Sequence, residues 1–329
     1  MPRNIAYDIM RTVAILLVAT QHAWSMLGFD TPQHGLVCYA YRAIVDAGVP
    51  LFVLISGALL LNETPSSLVA FFRKRFTRVL IPFLVWGLVV YVMSCISHQY
   101  EAVHSFKDAA LCFIPYLLQN RINDFHWFIH MILALYLLTP VLQRALHDQP
   151  ASTWLYLIGL WLAIMILRKV YPELYILKYT SSIIPYLGLY ILGGYWARHN
   201  VRNQHIYGVV AAVVLYVANV LSHTEWQFLT QLTAFALFMA FSSCSCLNPT
   251  SRFSRLSTAV SRYSYLIFLI HIPIIRALYI CLDKVGLAAV KTATITPVWV
   301  AIVVVGLISV GCLTLDKIPG RFKHDLGVA

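Results

Sequence analysis

The sequence predicts an all-α polytopic membrane protein with about ten transmembrane helices and both termini cytoplasmic, and three observations carry that reading. First, 60% of the 329 residues are hydrophobic and only 11% are charged, whereas an ordinary soluble domain carries about 25% charged residues. Second, apolar stretches of about 20 residues, the length that crosses a bilayer as a helix, recur from one end of the chain to the other. Third, with the N-terminus placed inside, fifteen of the 24 Lys and Arg residues fall on the cytoplasmic side and seven on the other, the bias that sets orientation. The net charge of +11 thereby follows topology and gives no reason to expect a nucleic-acid partner.

Taken in order, the spans fall at 8–28, 37–61, 79–98, 126–143, 153–168, 181–197, 206–222, 227–246, 263–281 and 295–313. Residues 1–329 are expected to form a single integral membrane domain. No internal repeat or low-complexity linker divides the chain, and the polar connections 99–125 and 169–180, both placed outside, are too short to fold alone. The first span is long enough to cross the bilayer and is expected to be permanent rather than a cleaved signal. Seven cysteines are scattered mostly through apolar spans. Cys244 and Cys246 lack the two-residue spacer of a zinc or redox motif, so neither a disulfide scaffold nor a metal site is expected.

The first span holds Arg11 and His22 in the run RTVAILLVATQH. An ionisable side chain in hydrocarbon costs about 2.5 to 3.5 kcal/mol on insertion scales and usually marks a functional pathway. Eleven steps of about 100° make three turns plus about 20°, so both side chains lie on one face, about 16 Å apart along the axis. Asp8 precedes Arg11 by three residues, a spacing at which side chains pair. The second span, with VDAGVPLFVLISG, is expected to kink at Gly48 and Pro50 and to pack closely at Ser56 and Gly57. Arg42 and Asp46, four apart near its outer end, suit an ion pair at about the depth of His22.

The third span is preceded by FFRKRFTRVLIPFL, with Arg75 and Arg78 on one face and Pro82 a turn later. Such a cluster orients the chain and touches anionic lipid, or grips phosphate with guanidinium forks. The fourth span opens with FHWFIH. His126 and His130 have the i, i+4 spacing of zinc-binding pairs but lack a third ligand, and His126 and Trp127 fit the outer interface. The ninth span, RYSYLIFLIHIPII, places His271 near the bilayer midplane. Two midmembrane histidines suit proton transfer, in an enzyme or in the proton relay of a secondary transporter or lipid flippase.

In combination these motifs resemble acyltransferase family 3, the bacterial integral membrane acyltransferases. Asp8, Arg11 and His22 resemble the family's first-helix signature, in which a basic residue precedes a histidine by ten intervening residues. Pro50, Phe52, Ser56 and Gly57 resemble its second-helix motif, and Arg75, Arg78 and Pro82 its basic motif. Trp127, Tyr136 and Pro140 resemble its tryptophan-led fourth helix, and Ser264, Tyr265 and His271 the motif near the end. The resemblance runs from residue 8 to about residue 315. One departure stands out: where relatives often have a histidine two residues before the tryptophan, this chain has Phe125, so a catalytic role does not carry over to His126.

The resemblance implies a short stand-alone member, similar to O-acetyltransferases of surface polysaccharides, in the bacterial inner membrane. The implied donor is cytoplasmic acetyl-CoA, its phosphates near Arg75 and Arg78 with Ser56 close by, and its pantetheine arm reaching toward His22. Arg11, held by Asp8, would orient the donor. His22 would act as general base or acyl carrier, with His271 as a second proton-handling group. The implied acceptor is a glycan or lipid-linked sugar, and Arg42, Asp46 and Trp127 are its expected contacts. Besides that acceptor, membrane lipids are the expected partners.

Overall fold

In the computed structural model, residues 4–28, 35–63, 67–97, 99–100, 103–171, 183–199, 204–222, 227–244, 248–287, 290–291 and 293–315 are described. Arg3, Lys178, Arg202, Cys246, Lys317, Arg321 and Lys323, which entered the charge and cysteine readings, lie outside them. The described residues are all-helical: α1 (Ile5–Met26), α2 (Gly35–Val45), α3 (Gly48–Leu60), α4 (Leu68–Ile96), α5 (Phe106–Leu118), α6 (Trp127–Leu146), α7 (Ala151–Val170), α8 (Ile183–Arg198), α9 (His205–Leu221), α10 (Gln227–Ser242), α11 (Arg252–Lys284) and α12 (Thr296–Leu315). Among the described residues, six segments are long and apolar enough to cross a membrane, with α2 and α3 together forming one of them. Three of the other expected spans, α8, α9 and α10, have 16 or 17 residues. At 1.5 Å per residue they reach about 25 Å, short of the ~30 Å hydrocarbon core.

Three boundaries differ from the hydropathy reading, each for a local reason. The second span is two helices that part at Asp46 and Ala47. A Cβ on Gly48, the first residue of α3, would lie 2.8 Å from the Ala14 carbonyl oxygen, so this break lets α3 press against α1. Helices α4 and α11 begin eleven residues before the apolar stretches 79–98 and 263–281, because Ser67 and Ser251 cap them through their side-chain oxygens. Serine satisfies an otherwise orphaned helix N–H. At 29 and 33 residues these helices are about 44 and 50 Å long, so each carries its basic residues on a continuous helix. The connection 99–125 contains α5, whose Tyr116 packs with Tyr91 and Tyr100.

Helix α1 lies in the middle of the bundle. Met10, Ala14, Ile15, Val18 and Ala19 are buried, against α11, α12, α3 and α10. Helix α11 is tied to it along its length. The Thr12 hydroxyl donates to the Ser257 carbonyl at 2.9 Å, the Ser261 hydroxyl donates to Asp8 Oδ1 at 2.8 Å, and the Tyr279 hydroxyl donates to the Ala23 carbonyl at 2.9 Å. Helices α3 and α8 cross backbone to backbone: a Cβ on Gly57 would fall 1.9 Å from the Tyr190 carbonyl oxygen, and one on Gly193 2.1 Å from that of Leu54. Small residues allow such close approach, which is a main source of helix association within membranes.

Candidate active site

Two chambers open on the same stretch of α1, one at each end, named inner and outer after the orientation that the charge bias predicts. The inner chamber, about 310 Å³, is bordered by Arg11, Ser56, Arg75 and Arg78, so one space unites all the residues expected on the donor side except Asp8. Asp8 lies just behind it, buried. It accepts from Ser261 at 2.8 Å and Thr258 at 3.3 Å, and its Oδ1 lies 3.9 Å from Arg11 Nη1. A buried carboxylate held by hydroxyls and a guanidinium is well compensated, and the pairing fixes where Arg11 points. Arg75 donates from Nη2 to Glu63 at 2.8 Å, while its buried Nε has no partner among the described residues. Ser56 donates to the Phe52 carbonyl at 2.8 Å, and the Tyr265 hydroxyl donates to the Val79 carbonyl at 2.7 Å, fastening α11 to α4 beside the chamber.

The sequence reading missed a fourth guanidinium here. Arg262, counted only among the charges that set orientation, borders the same space together with Tyr136 and Ser264. With Arg11 facing Asp8 and Arg75 facing Glu63, the four arginines still leave the charges around this cavity positive in balance.

His22 borders the second chamber, about 280 Å³, with Gln21, Arg42, Asp46, Phe125 and Trp127. A further cavity of about 380 Å³ continues past Arg42, Asp46 and Trp127 and is bordered by Tyr39, Tyr186, Asn219, Gln227 and Thr230. The three residues expected to meet the acceptor therefore stand together. Arg42 Nε lies 3.6 Å from Asp46 Oδ2, the ion pair that the four-residue spacing predicts. Asn219 donates to the Thr230 hydroxyl at 3.0 Å and Gln227 to the Tyr186 hydroxyl at 3.2 Å. These polar residues come from α8, α9 and α10 and become neighbours only in the fold; an Asn inside an otherwise apolar run was the one available sequence signal.

His22 and His271 meet ring to ring, with centroids 5.2 Å apart, although 248 residues separate them in the chain. His271 Nδ1 lies 2.7 Å from the Phe268 carbonyl and 3.0 Å from that of Ile267. Carbonyls only accept, so Nδ1 carries the hydrogen and Nε2 keeps a lone pair. That Nε2 is buried without a hydrogen bond among the described residues. Phe125 packs edge-on against His22 at 4.0 Å. His126 turns elsewhere: it is buried and packs against Phe83 at 5.1 Å rather than at the outer interface. His130 places its two ring nitrogens 3.0 Å from the His126 and Leu117 carbonyls, which leaves neither for a metal. Of the described cysteines, Cys244 is disulfide-bonded, a bond its spacing gave no reason to expect, and the other five are not.

The two chambers share a wall. Phe128 and Phe268 border both, with ring centroids 4.9 Å apart, and Phe268 lies 5.8 Å from His271. The arrangement is thus two cavities of different lining, divided by an aromatic wall beside a histidine pair. The model of the acyltransferase domain that defines acyltransferase family 3 matches residues 4–316, and the chain belongs to that family. It is a membrane acyltransferase. Comparisons with curated proteins and with solved structures each find no match.

Proposed function

We propose that the protein moves an acetyl group from cytoplasmic acetyl-CoA to a hydroxyl of a surface glycan or its lipid-linked precursor on the far side of the bacterial inner membrane. In this reading ten spans cross the membrane and both termini are cytoplasmic. The observation that supports it most is the pairing of chambers: an arginine-rich one adjoins, through Phe128 and Phe268, a polar and aromatic one bordered by His22.

The donor's phosphates rest among Arg75, Arg78, Arg262 and Arg11, and its thioester arm passes Ser56 and the two phenylalanines. The acceptor's sugar ring lies beside Trp127, with Arg42 and Asp46 oriented to its hydroxyls. His22 takes the proton as the hydroxyl oxygen attacks the thioester carbon. The carbon–sulfur bond then breaks and the thiolate leaves toward the inner chamber, where the proton from His22 neutralises it. General base catalysis of this kind is worth about 10² to 10⁴ in rate. In the alternative route the imidazole itself attacks and carries the acetyl group before the hydroxyl takes it; trapping an acetylated protein in the absence of acceptor separates the two. His271, fixed by its carbonyl contacts, holds His22 in orientation and offers a second proton site.

The test is mass spectrometry of surface glycans and lipid-linked intermediates from cells with the gene, without it, and complemented with His22→Ala. Acetyl groups lost with the gene should return with the wild type and not with the variant. Restoration by a well-expressed His22→Ala protein would end this mechanism.

A further inference from the structure

Five hydroxyl side chains border the inner chamber, and their hydrogen bonds divide them into two groups. Ser56 donates to the Phe52 carbonyl at 2.8 Å, Ser261 to Asp8 at 2.8 Å and Tyr265 to the Val79 carbonyl at 2.7 Å. The hydroxyls of Tyr136 and Ser264 have no hydrogen-bond partner among the described residues, although Ser264 is only 8% exposed. A serine inside a membrane helix commonly turns back to the carbonyl four residues earlier, as Ser56 does and Ser264 does not. Spacing gives the two hydroxyls a direction. On α6, Phe128, Ile132 and Tyr136 follow at four-residue intervals, and on α11 Ser264 precedes Phe268 by four, so each set lies on one helix face. All of them border the chamber, and the two faces meet at the Phe128–Phe268 pair. Counted inward from that pair at 1.5 Å per residue, Ser264 lies about 6 Å along its helix and Tyr136 about 12 Å along its own. Tyr136 is near enough to Arg75 and Arg11 for their charges to act on it, so the deeper hydroxyl stands at the guanidinium end.

We infer that Ser264 and Tyr136 hold the donor's thioester arm, Ser264 donating to the amide carbonyl next to the thioester and Tyr136 to the amide carbonyl beyond it. This inference rests on the acyl-transfer reading and specifies how its donor is recognised. A pantetheine arm has five bonds from the thioester carbon to the first amide carbon and nine to the second. Extended at about 1.2 Å per bond, these make about 6 and 11 Å. With the thioester carbon level with the phenylalanine pair, beside the histidines, the two amides come level with the two hydroxyls. Serine and tyrosine hydroxyls donate to a carbonyl without carrying charge, which suits the neutral arm, while the arginines suit the phosphates behind it. Guanidinium groups accept phosphate on any carrier; a pair of hydroxyls at this spacing selects an arm with two amides.

The full-length protein in neutral detergent is titrated by calorimetry with two probes, CoA and adenosine 3′,5′-bisphosphate, which carries phosphates but no arm. Ser264→Ala and Tyr136→Phe should each bind CoA about fivefold more weakly than the wild type, the scale of one lost hydrogen bond, and should bind the nucleotide unchanged. Arg75→Ala with Arg78→Ala should weaken both probes. S-acetyl-N-acetylcysteamine keeps the thioester and the first amide alone, so as a transfer donor its KM should rise in Ser264→Ala and stay level in Tyr136→Phe. Wild-type affinity for CoA in both variants would overturn the inference. So would an equal loss of affinity for the nucleotide, which would mark a packing change rather than a lost arm contact. A raised KM for the truncated donor in Tyr136→Phe would overturn the order of the two contacts. A wild type that binds neither probe would end the donor reading itself, so the two failures are told apart.

Discussion

Replacing Gly57 by Ala measures how far both chambers depend on a single backbone contact. The new Cβ would stand 1.9 Å from the Tyr190 carbonyl oxygen and 2.7 Å from its carbon, where ordinary contact begins at 3.4 Å. Because the obstacle is backbone, no rotamer change relieves it, and α3 and α8 must part by about 1.5 Å. Overpacking costs about 1–3 kcal/mol, occasionally more, and this collision belongs at the upper end. The reciprocal fit of Gly193 against Leu54 opens with it. Helix α3 bears Phe52 and Ser56 on the inner chamber and Val49 on the outer ones, so acyl transfer should fall along with stability. Gly159→Ala on α7 is the control. Nothing lies within 4 Å of its Cβ position, and the change should stabilise the helix by about 0.5–1 kcal/mol. Thermal unfolding in detergent, read with transfer rate per folded molecule, makes the comparison. Equal midpoints and equal rates for the two variants would refute the argument.

Four further expectations follow from the site. His22→Ala and His22→Gln should abolish transfer while the protein still inserts and melts like the wild type; a retained rate in either would remove His22 from the chemistry. Arg75→Ala with Arg78→Ala should raise the donor KM more than it lowers kcat, and Arg262→Gln should add to that effect; an unchanged donor KM in all of them would dismiss the clamp. Ser261→Ala removes the 2.8 Å hydrogen bond to buried Asp8, a contact to a charged group worth about 1.5–3 kcal/mol, so the melting midpoint should drop, and an unaltered midpoint would contradict the role given to that bond. Phe268→Leu thins the wall between the chambers, and thioester hydrolysis measured without acceptor should rise, whereas an unchanged background would count against a barrier there.

Much of the site was legible because ionisable residues are scarce and expensive in apolar spans. Asp8, Arg11, His22 and His271 declare themselves for that reason, and helical spacing alone puts Arg11 and His22 on one face. A donor end at Arg11 and an acceptor end at His22 were expected, but the wall that divides them was not legible, since Phe128 and Phe268 read in sequence as ordinary apolar residues. Arg262 was hidden differently: a positive charge at a span's inner end has a topological explanation ready, which masks any second role. Element ends were lost where capping outweighed hydropathy, at Ser67 and Ser251. Helix α5 was lost because its polar flanks made residues 99–125 look like a loop. The outer cavity needed Tyr186, Asn219 and Thr230 from three helices, a convergence that no window along the chain can display.

Cells store energy as ion gradients across the membrane, and a catalyst reached from both faces is a potential short circuit. Phe128 and Phe268, their ring centroids 4.9 Å apart, border both the arginine-lined and the histidine-lined spaces. Aromatic rings give hydrated ions no ligands. In the proposed reading the pair that divides donor from acceptor also bars ions, and liposomes containing the Phe268→Leu protein should dissipate a proton gradient faster than those containing the wild type.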